Sequence, residues 1–355
     1  MSEAKETDKK DPTVCVGCGS RRVFDPGKQA LACEHCGNNT ALPPRATNNV
    51  KNRYYPGVEV RLEKSDFSQY TCNQCGNINT FFGEGEIHRC PSCGSYDNLT
   101  KVQKTIRHID GIIPFKITRD AATEELKKWI KTRKWAPSDF KNLVSTGKIT
   151  GLYFPAYIFD GEGYYTYRGT IQYTQYVHNS DGTQRAVTNT RTFSGSNAWA
   201  RANYIVSATK AIPNDIAQTN FNVDNLIKYE LPFVSGFPTN EADIAIANAN
   251  ANFHSALQKK LESDVRSAQS GGGTVNSLSL SHTTNNETYQ LSLLPVWATY
   301  YSYKGKEFNC YINGHSGKVV GKHPKSFWKR FFTFMGLVAA GGVALLLVMW
   351  LSGTL

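Results

Sequence analysis

Eight of the nine cysteines follow a strict spacing, and this spacing constrains the fold more than any other feature of the 355-residue chain. Two CxxC pairs separated by 14 residues form one set, and a second set of the same form follows at an offset of 57 residues. A glycine follows each of the four pairs. The two sets are Cys15, Cys18, Cys33 and Cys36, and Cys72, Cys75, Cys90 and Cys93.

Thiolates at this spacing are typical ligands of a tetrahedral metal ion. Two thiolates on a tight turn can bind one Zn²⁺, and the following glycine can adopt the left-handed conformation that directs backbone N–H groups at the sulfurs. Disulfides fit a chain expected in a reducing compartment poorly, and four redox CxxC pairs in paired register fit no better. The sequence therefore predicts two structural zinc ribbons with one Zn²⁺ each, and no open coordination position for catalysis.

The C-terminal part combines a basic segment with a long apolar run. Residues 304–330 hold +6 of the net charge of +11, and residues 331–351 contain no charged residue. At about 1.5 Å per residue, such a helix spans a hydrocarbon core of roughly 30 Å. The positive-inside tendency then predicts a tail-anchored, single-pass protein of the cell (inner) membrane, with residues 1–330 cytoplasmic and the C-terminus outside. Five basic residues are expected to bind anionic lipid headgroups: Lys318, Lys322, Lys325, Lys329 and Arg330.

The residues between the ribbons and the basic segment predict an α+β domain with mainly antiparallel strands. Strands rich in Tyr, Val, Ile and Thr are expected at 152–159, 163–177 and 185–193, with a hairpin turn at 179–182. One long helix is expected from about 241 to 268, with Asn240 as its N-cap. Its apolar stripe comprises Ile246, Ala249, Phe253, Leu257, Leu261, Val265 and Ala268. The absence of a βαβ rhythm favours the α+β class.

The predicted division of the chain follows from these patterns. It comprises a disordered tail at 1–12, zinc ribbon 1 at 13–42, a linker at 43–66, zinc ribbon 2 at 67–103, the α+β domain at 104–321, a basic juxtamembrane segment at 322–330 and a transmembrane helix at 331–351.

A search for catalytic patterns finds none that predicts an enzyme. HExxH, GxSxG and a nucleotide-binding GxxxxGK[ST] loop do not occur, and the histidines are scattered along the chain. Asp160 and Glu162 fit a turn at a strand end better than an acid–base pair. Cys310 alternates with Phe308 and Ile312, so we expect a buried thiol without reactivity. No small-molecule substrate is indicated.

Several segments together resemble a known family. They are the twin CxxCG ribbons, IIPFKIT, GLYFPAYIFDGEG, LLPVWATYYSYKGKEFNCYINGHSGKVVGKHP and the terminal apolar run. The chain resembles the bacterial membrane-associated zinc-ribbon (TFIIB-type zinc ribbon-containing) proteins, often labelled primosomal replication-factor-Y-like helicase, over most of residues 13–350. The resemblance implies a membrane platform that helps to recruit envelope-stress proteins of the phage-shock type. The helicase label is rejected, because the chain lacks a phosphate-binding loop.

Two functions remain as hypotheses. The first is a non-enzymatic, tail-anchored membrane scaffold or adaptor whose zinc ribbons dock a cytoplasmic or membrane protein partner. The alternative is a membrane-tethered nucleic-acid-binding protein that contacts DNA or RNA through its ribbons. Ribbon 1 offers Arg21, Arg22 and Lys28 for such contacts, but also Asp25 and Glu34. This mixture of signs is not the basic stripe that nucleic-acid recognition favours.

Overall fold

The structure is a computed structural model, and it describes most of the chain. The described residues are 12–42, 47, 50–64, 68–81, 90–93, 95, 99–102, 105–146, 149–180, 182–271 and 273–351. The predicted disordered tail lies outside them except for Pro12. The predicted linker at 43–66 is described only in part.

Seventeen strands, five α-helices and two short 3-10 helices (Val223–Asn225 and Leu231–Phe233) are present in the described residues. The strands are β1 (Arg22–Asp25), β2 (Ala30–Cys33), β3 (Asn39–Ala41), β4 (Asn52–Arg53), β5 (Leu62–Lys64), β6 (Ser68–Cys72), β7 (Ile78–Phe81), β8 (Leu99–Val102), β9 (Thr105–Arg107), β10 (Gly111–Ile112), β11 (Thr150–His178), β12 (Gln184–Ser207), β13 (Ile227–Lys228), β14 (Thr239–Asn240), β15 (Thr274–Tyr303), β16 (Lys306–Asn313) and β17 (Val319–Gly321). The helices are α1 (Arg119–Lys131), α2 (Ser138–Thr146), α3 (Asn214–Ala217), α4 (Ile246–Gln269) and α5 (Phe327–Leu351).

One twelve-stranded sheet organises the protein. Its main path runs β13-β10-β15-β11-β14-β7-β6-β8, with β12 paired to β11, β16 to β15, β17 to β16 and β4 to β15. Most pairs are antiparallel, and β10 with β15 and β11 with β14 are parallel. The predicted α+β class and its mainly antiparallel sheet are confirmed. Strands β6 and β7 of the second cysteine segment belong to this sheet, so that segment is joined to the body by strand pairing.

Three strands are much longer than the others in the sheet. Strand β11 has 29 residues, β12 has 24 and β15 has 30. The predicted strands at 152–159 and 163–177 are therefore one strand, because β11 stays paired to β15 across a register shift between Glu162 and Gly163. The predicted hairpin is confirmed by the pairing of His178 with Gln184. The outer parts of these strands (163–178, 184–199 and 274–284) form a three-stranded extension, here called the β arm.

Helix α4 covers one face at the base of the β arm. Six of the seven predicted stripe residues are buried, and only Ala268 is exposed. Phe253 is fully buried and stacks on Phe159 at 5.5 Å between ring centroids. The helix begins at Ile246 rather than near 241, because Asn240 pairs with β7 as part of β14 and is unavailable as an N-cap.

The C-terminal helix corrects one prediction. In the part of the chain whose side chains the structure describes, no helix has the length and apolar character that a membrane crossing needs. A span takes about 20 consecutive apolar residues. Helix α5 carries Lys329 and Arg330 near its start, and beyond them its side chains are described only at 331–338 and 340–344. The predicted transmembrane helix at 331–351 is therefore wrong, and so is the tail-anchored, inner-membrane topology that depended on it.

Candidate metal centres

All described CxxCG turns have the same backbone arrangement. The N–H of the first cysteine donates to the carbonyl five residues later in each of the four turns, at 2.8 to 2.9 Å. In three of them the glycine N–H donates back to the first cysteine's carbonyl. These three glycines, Gly19, Gly37 and Gly76, have φ of 72 to 73°. Only glycine enters this left-handed conformation without steric cost, which explains its position after these three pairs.

The eight predicted ligands form two compact groups. In each group, the four Sγ atoms all lie within 4.8 Å of one another. In the first, the Sγ atoms of Cys15 and Cys36 are 3.6 Å apart, and those of Cys18 and Cys33 are 3.5 Å apart. In the second, the corresponding distances are 3.7 Å for Cys72 and Cys93 and 3.9 Å for Cys75 and Cys90. Each group can hold one metal ion, as the spacing predicts.

Hydrogen bonds lower the pKa of Cys15 and Cys18 in the first group and of Cys90 in the second, and so favour their thiolate forms. The Ser20 side chain and backbone lower the pKa of Cys18 to about 6. In the second group, the hydrogen bond with Cys75 lowers the pKa of Cys90 to about 5, helped by the backbone at Cys93 and Ser92. The thiolate is the form of cysteine that binds a metal. An ion can therefore bind the sulfurs of Cys18 and Cys90 without first displacing a proton.

Ribbon 1 is attached to the body by its core and by backbone hydrogen bonds. Phe24 and Leu31 are buried in the main hydrophobic cluster of the protein. The Phe24 N–H donates to the Ser235 carbonyl at 2.9 Å, and the Ser235 hydroxyl donates to the Arg22 carbonyl at 2.6 Å. The Gln29 amide also donates to the Phe115 carbonyl at 2.8 Å. Ribbon 1 therefore packs on the body instead of standing apart from it.

The second metal group is linked to the body by a buried polar network. The Asn240 amide of β14 donates to Asn79 Oδ1 at 2.7 Å and to Ser92 Oγ at 2.8 Å. The Ser92 hydroxyl donates to the same Asn79 oxygen at 2.8 Å, while the Asn79 amide reaches the Cys90 sulfur at 3.8 Å. Asn240, a residue of the body, is therefore hydrogen-bonded to both Asn79 and Ser92, and Asn79 in turn contacts the sulfur of the predicted ligand Cys90.

The five predicted lipid-binding residues do not behave alike. The Lys329 ammonium donates to the Ala136 carbonyl at 2.9 Å and to the Ser138 hydroxyl at 3.1 Å. The Arg330 guanidinium lies 5.9 Å from the ring centre of Trp135. These two fasten the start of α5 to the loop between α1 and α2. Lys318, Lys322 and Lys325 are exposed. Headgroup binding stays a prediction for all five residues.

Two histidines that are scattered in the sequence meet between α4 and β15. His254 Nδ1 lies 3.1 Å from His282 Nε2, and His254 Nε2 lies 3.1 Å from Glu287 Oε2. Gln258 accepts from the other His282 nitrogen at 2.9 Å, and Asn250 donates to Glu287. The residues come from separate elements and share no motif. Only the periodicity of α4, which puts 250, 254 and 258 on one face, gave a signal in the sequence.

The remaining sequence candidates have structural roles. Cys310 is fully buried, which confirms the expected burial, and burial raises the pKa of its thiol to about 12. Asp160 accepts from the Asn203 N–H at 2.6 Å and pairs with Lys51 at 2.6 Å. Glu162 accepts from the Asn286 amide at 2.6 Å. Both carboxylates thus bond neighbouring strands from within β11, so the predicted turn at a strand end is wrong at these two residues.

Comparison with known proteins gives one distant likeness. The chain is 24% identical over 346 residues to the Bacillus subtilis (strain 168) protein described as "Uncharacterized protein YdjG", which covers 96% of this chain and 97% of that protein. No protein-family model matches the chain, and no solved structure matches it. The likeness extends over both metal groups and the body, and that protein's description names no activity.

Removal of the Asn240 side chain should weaken both the fold and the second metal site. Asn240→Ala removes two buried hydrogen bonds, to Asn79 Oδ1 and Ser92 Oγ, and their loss costs about 1–3 kcal/mol although the Ser92 hydroxyl still donates to Asn79. We expect a lower melting temperature and faster release of one metal equivalent to a chelating dye. Asn248→Ala, at an exposed position on α4, is the matched control and should change neither quantity. Equal metal release from both variants would contradict the coupling.

The histidine pair should make the attachment of α4 sensitive to pH. Burial and the neighbouring His254 lower the pKa of His282 below its ordinary value of 6.5. The unfolded chain therefore binds this proton first, and the stability that depends on neutral His282 is lost as pH falls below about 6.5.

We expect the free energy of unfolding to fall between pH 7 and pH 5 more steeply in the wild type than in His282→Gln. Parallel denaturant titrations at each pH measure the difference. His178→Gln, at the exposed tip of the β arm, serves as the control and should follow the wild type. Identical pH profiles for all three proteins would refute the role of the pair.

Proposed function

We propose that this chain is a non-enzymatic, zinc-stabilised adaptor that docks a protein partner. The observation that carries the proposal is the donor set of the two metal groups. A tetrahedral Zn²⁺ with Zn–S bonds of about 2.3 Å places its thiolates about 3.8 Å apart. Two Sγ–Sγ distances in each group, 3.5 to 3.9 Å, lie close to this value, and all four sulfurs of a group lie within 4.8 Å of one another. Four thiolates fill the coordination shell and leave no position for a substrate.

Bound zinc would act here as a structural cross-link. In ribbon 1, Cys15, Cys18, Cys33 and Cys36 would hold it, and in ribbon 2, Cys72, Cys75, Cys90 and Cys93 would hold it. Small ribbons bury little apolar surface, so the ion supplies folding energy that the chain lacks. The attachments of both ribbons to the body extend this effect beyond the ribbons themselves.

Ribbon 1 offers a surface on which a partner can dock. Its interior side packs on the body, while the first CxxC turn faces solvent. Val14 and Val16 beside that turn are 41% and 76% exposed, and Cys18 is exposed. Aliphatic side chains at a rigid, metal-held turn suit a protein contact better than a phosphate backbone.

The nucleic-acid alternative receives less support from the same ribbon. Arg22 is 3% exposed, and its guanidinium donates to the Pro12 carbonyl at 3.3 Å. Lys28 lies 3.9 Å from Asp25. Phosphate binding needs accessible cations, and of the three basic residues Arg22 is buried and Lys28 lies beside a carboxylate.

Metal analysis of the purified full-length chain should give two zinc ions per chain. Replacement of Cys15 and Cys18 by serine should remove one ion and leave the second, and the Cys72, Cys75 double replacement should do the converse. The substitution Cys310→Ser, outside both groups, should retain two. Iron or copper in place of zinc, or fewer than two ions in the wild type, would contradict the proposal.

Docking is tested by photo-cross-linking in cells. A photoreactive residue in place of Val16 should yield one discrete protein adduct, and this adduct should disappear when Cys15 and Cys18 are also replaced by serine. The same photoreactive residue in place of Lys28, exposed at the other end of ribbon 1, is the control and should give no such adduct. Adducts that are nucleic acid, or equal adducts at both positions, would overturn the docking role.

A further inference from the structure

The outer strand of the β arm has an open edge. Strand β12 pairs with β11 from Gln184 to Trp199, and no described residue pairs with its other side over this range. At about 3.3 Å per residue, these 16 residues present an edge about 50 Å long. About half of their backbone N–H and C=O groups point away from β11, as in any edge strand. The range contains no proline, and its one glycine does not interrupt the pairing.

Two neighbouring edges, at the base of β12 and along β15, have side chains hydrogen-bonded to their backbone groups, unlike the open edge of β12. At the base of β12, the Gln218 amide donates to the Ile205 carbonyl, and the Ser207 N–H donates to Asn214 Oδ1 at 2.9 Å. On the opposite side of the β arm, side chains of α4 bond carbonyls of β15. The Arg266 guanidinium donates to Val275 at 3.2 Å, and the Gln258 amide donates to Leu280 at 3.1 Å.

The charge of the β arm selects the kind of partner. Its strands contain three arginines, Arg168, Arg185 and Arg191, and no Asp or Glu. Arg185 and Arg191 lie on β12 itself, six residues apart, and therefore on the same face. Both are exposed, and neither forms an ion pair within the described part of the chain. An added strand would place its own side chains directly opposite them, at about 5 Å between Cβ atoms.

The other face of this edge is flat and small. The even-numbered residues of β12 in the β arm are hydroxyl-bearing or alanine except for the first: Gln184, Ala186, Thr188, Thr190, Thr192, Ser194, Ser196 and Ala198. Short side chains leave room for an incoming strand to approach with a regular ladder. They also pair well across strands with Thr and Val.

We propose that residues 184–199 of β12 bind an extended, acidic segment of a partner protein, which adds to the β arm as a fourth strand. Backbone hydrogen bonds supply the attachment, as in other cases of strand addition, and Arg185 and Arg191 select acidic residues at a spacing of six. This surface includes neither ribbon, so it stands or falls independently of the docking role proposed for ribbon 1.

Two other occupants fit less well. A second copy of this chain would pair β12 with β12 and bring the arginines of two copies together without an acidic residue between them, which is unfavourable. Nucleic acid would use the arginines but not the row of backbone donors and acceptors, which is complementary to another polypeptide strand.

The test uses the full-length chain and a synthetic peptide, Thr-Glu-Thr-Val-Thr-Val-Thr-Glu-Thr-Val-Thr, whose glutamates are six residues apart. We expect saturable binding by fluorescence anisotropy and slower amide hydrogen exchange confined to 184–199. The variant Arg185→Glu with Arg191→Glu should bind about tenfold more weakly, because two attractive cross-strand pairs become repulsive. The same variant should instead bind the peptide in which lysine replaces both glutamates.

Matched controls separate strand addition from general electrostatics. Arg168→Glu changes the charge of the same β arm, but it lies on the central strand β11, so binding should stay within about twofold of the wild type. The peptide with N-methyl groups on alternate residues cannot form the ladder and should not bind. No binding by the original peptide, or equal losses for Arg168→Glu and the double variant, would overturn the proposal.

The remaining outcomes also decide the occupant. Concentration-dependent dimerisation in sedimentation, abolished by a bound peptide, would assign the edge to a second copy and overturn the proposal. Tighter binding of an oligothymidylate that depends on Arg185 and Arg191 would assign it to nucleic acid, with the same consequence. Hydrogen-exchange protection outside 184–199 would place the peptide elsewhere.

Discussion

The continuous pairing of β11 with β15 is the constraint on which the rest of the structure depends. These two strands stay in contact from Thr150 with Ala298 to Gln172 with Thr274. At the body end, β11 pairs with β14, and β15 pairs with β10 and β16. At the outer end, the two strands form the β arm together with β12. A strand this long must change environment along its length. Residues 151–159 of β11 are buried on both faces, whereas 173–178 are exposed, so one strand serves first as core and then as a surface extension.

Both metal groups are joined to this framework, one by strand pairing and the other by packing in the core. Ribbon 2 enters the sheet through the pairing of β7 with β14, and Asn240 connects that strand to the residues around Cys90. Ribbon 1 contributes Phe24 and Leu31 to the main core. Buried polar groups must be satisfied or they cost free energy. A metal that orders the CxxC turns therefore also orders the partners of Asn240, and the stability of the ribbons and the body becomes shared. A rigid support of this kind would suit the proposed adaptor role, because it would hold the residues beside the first CxxC turn in place before a partner binds.

Local patterns were enough to predict some parts and not others. The glycine after each CxxC pair and the periodic stripe of α4 are local, and the structure confirms the turns, the cysteine groups and six buried stripe residues. The predicted start of α4 was wrong because Asn240 pairs with a strand residue 161 positions away in sequence, Asn79. No sequence motif predicts the contact of His254 with His282 or the open edge of β12. The apolar run at 331–351 shows that a local pattern can also mislead. Its composition predicted a membrane span, and the described helix does not provide one.

The sequence by itself determined which residues can bind a metal, where the long helix lies within about five residues, which segments form strands though not how far each strand extends, and that the fold class is α+β. These properties depend on spacing within a few tens of residues, where chain geometry leaves little choice. Tertiary structure alone decided that both ribbons pack on the body, that two predicted strands are one, and that one edge of the β arm stays open beside unpaired arginines. Such features arise from contacts between distant segments, because pairing partners and burial depend on which surfaces meet after the chain has folded.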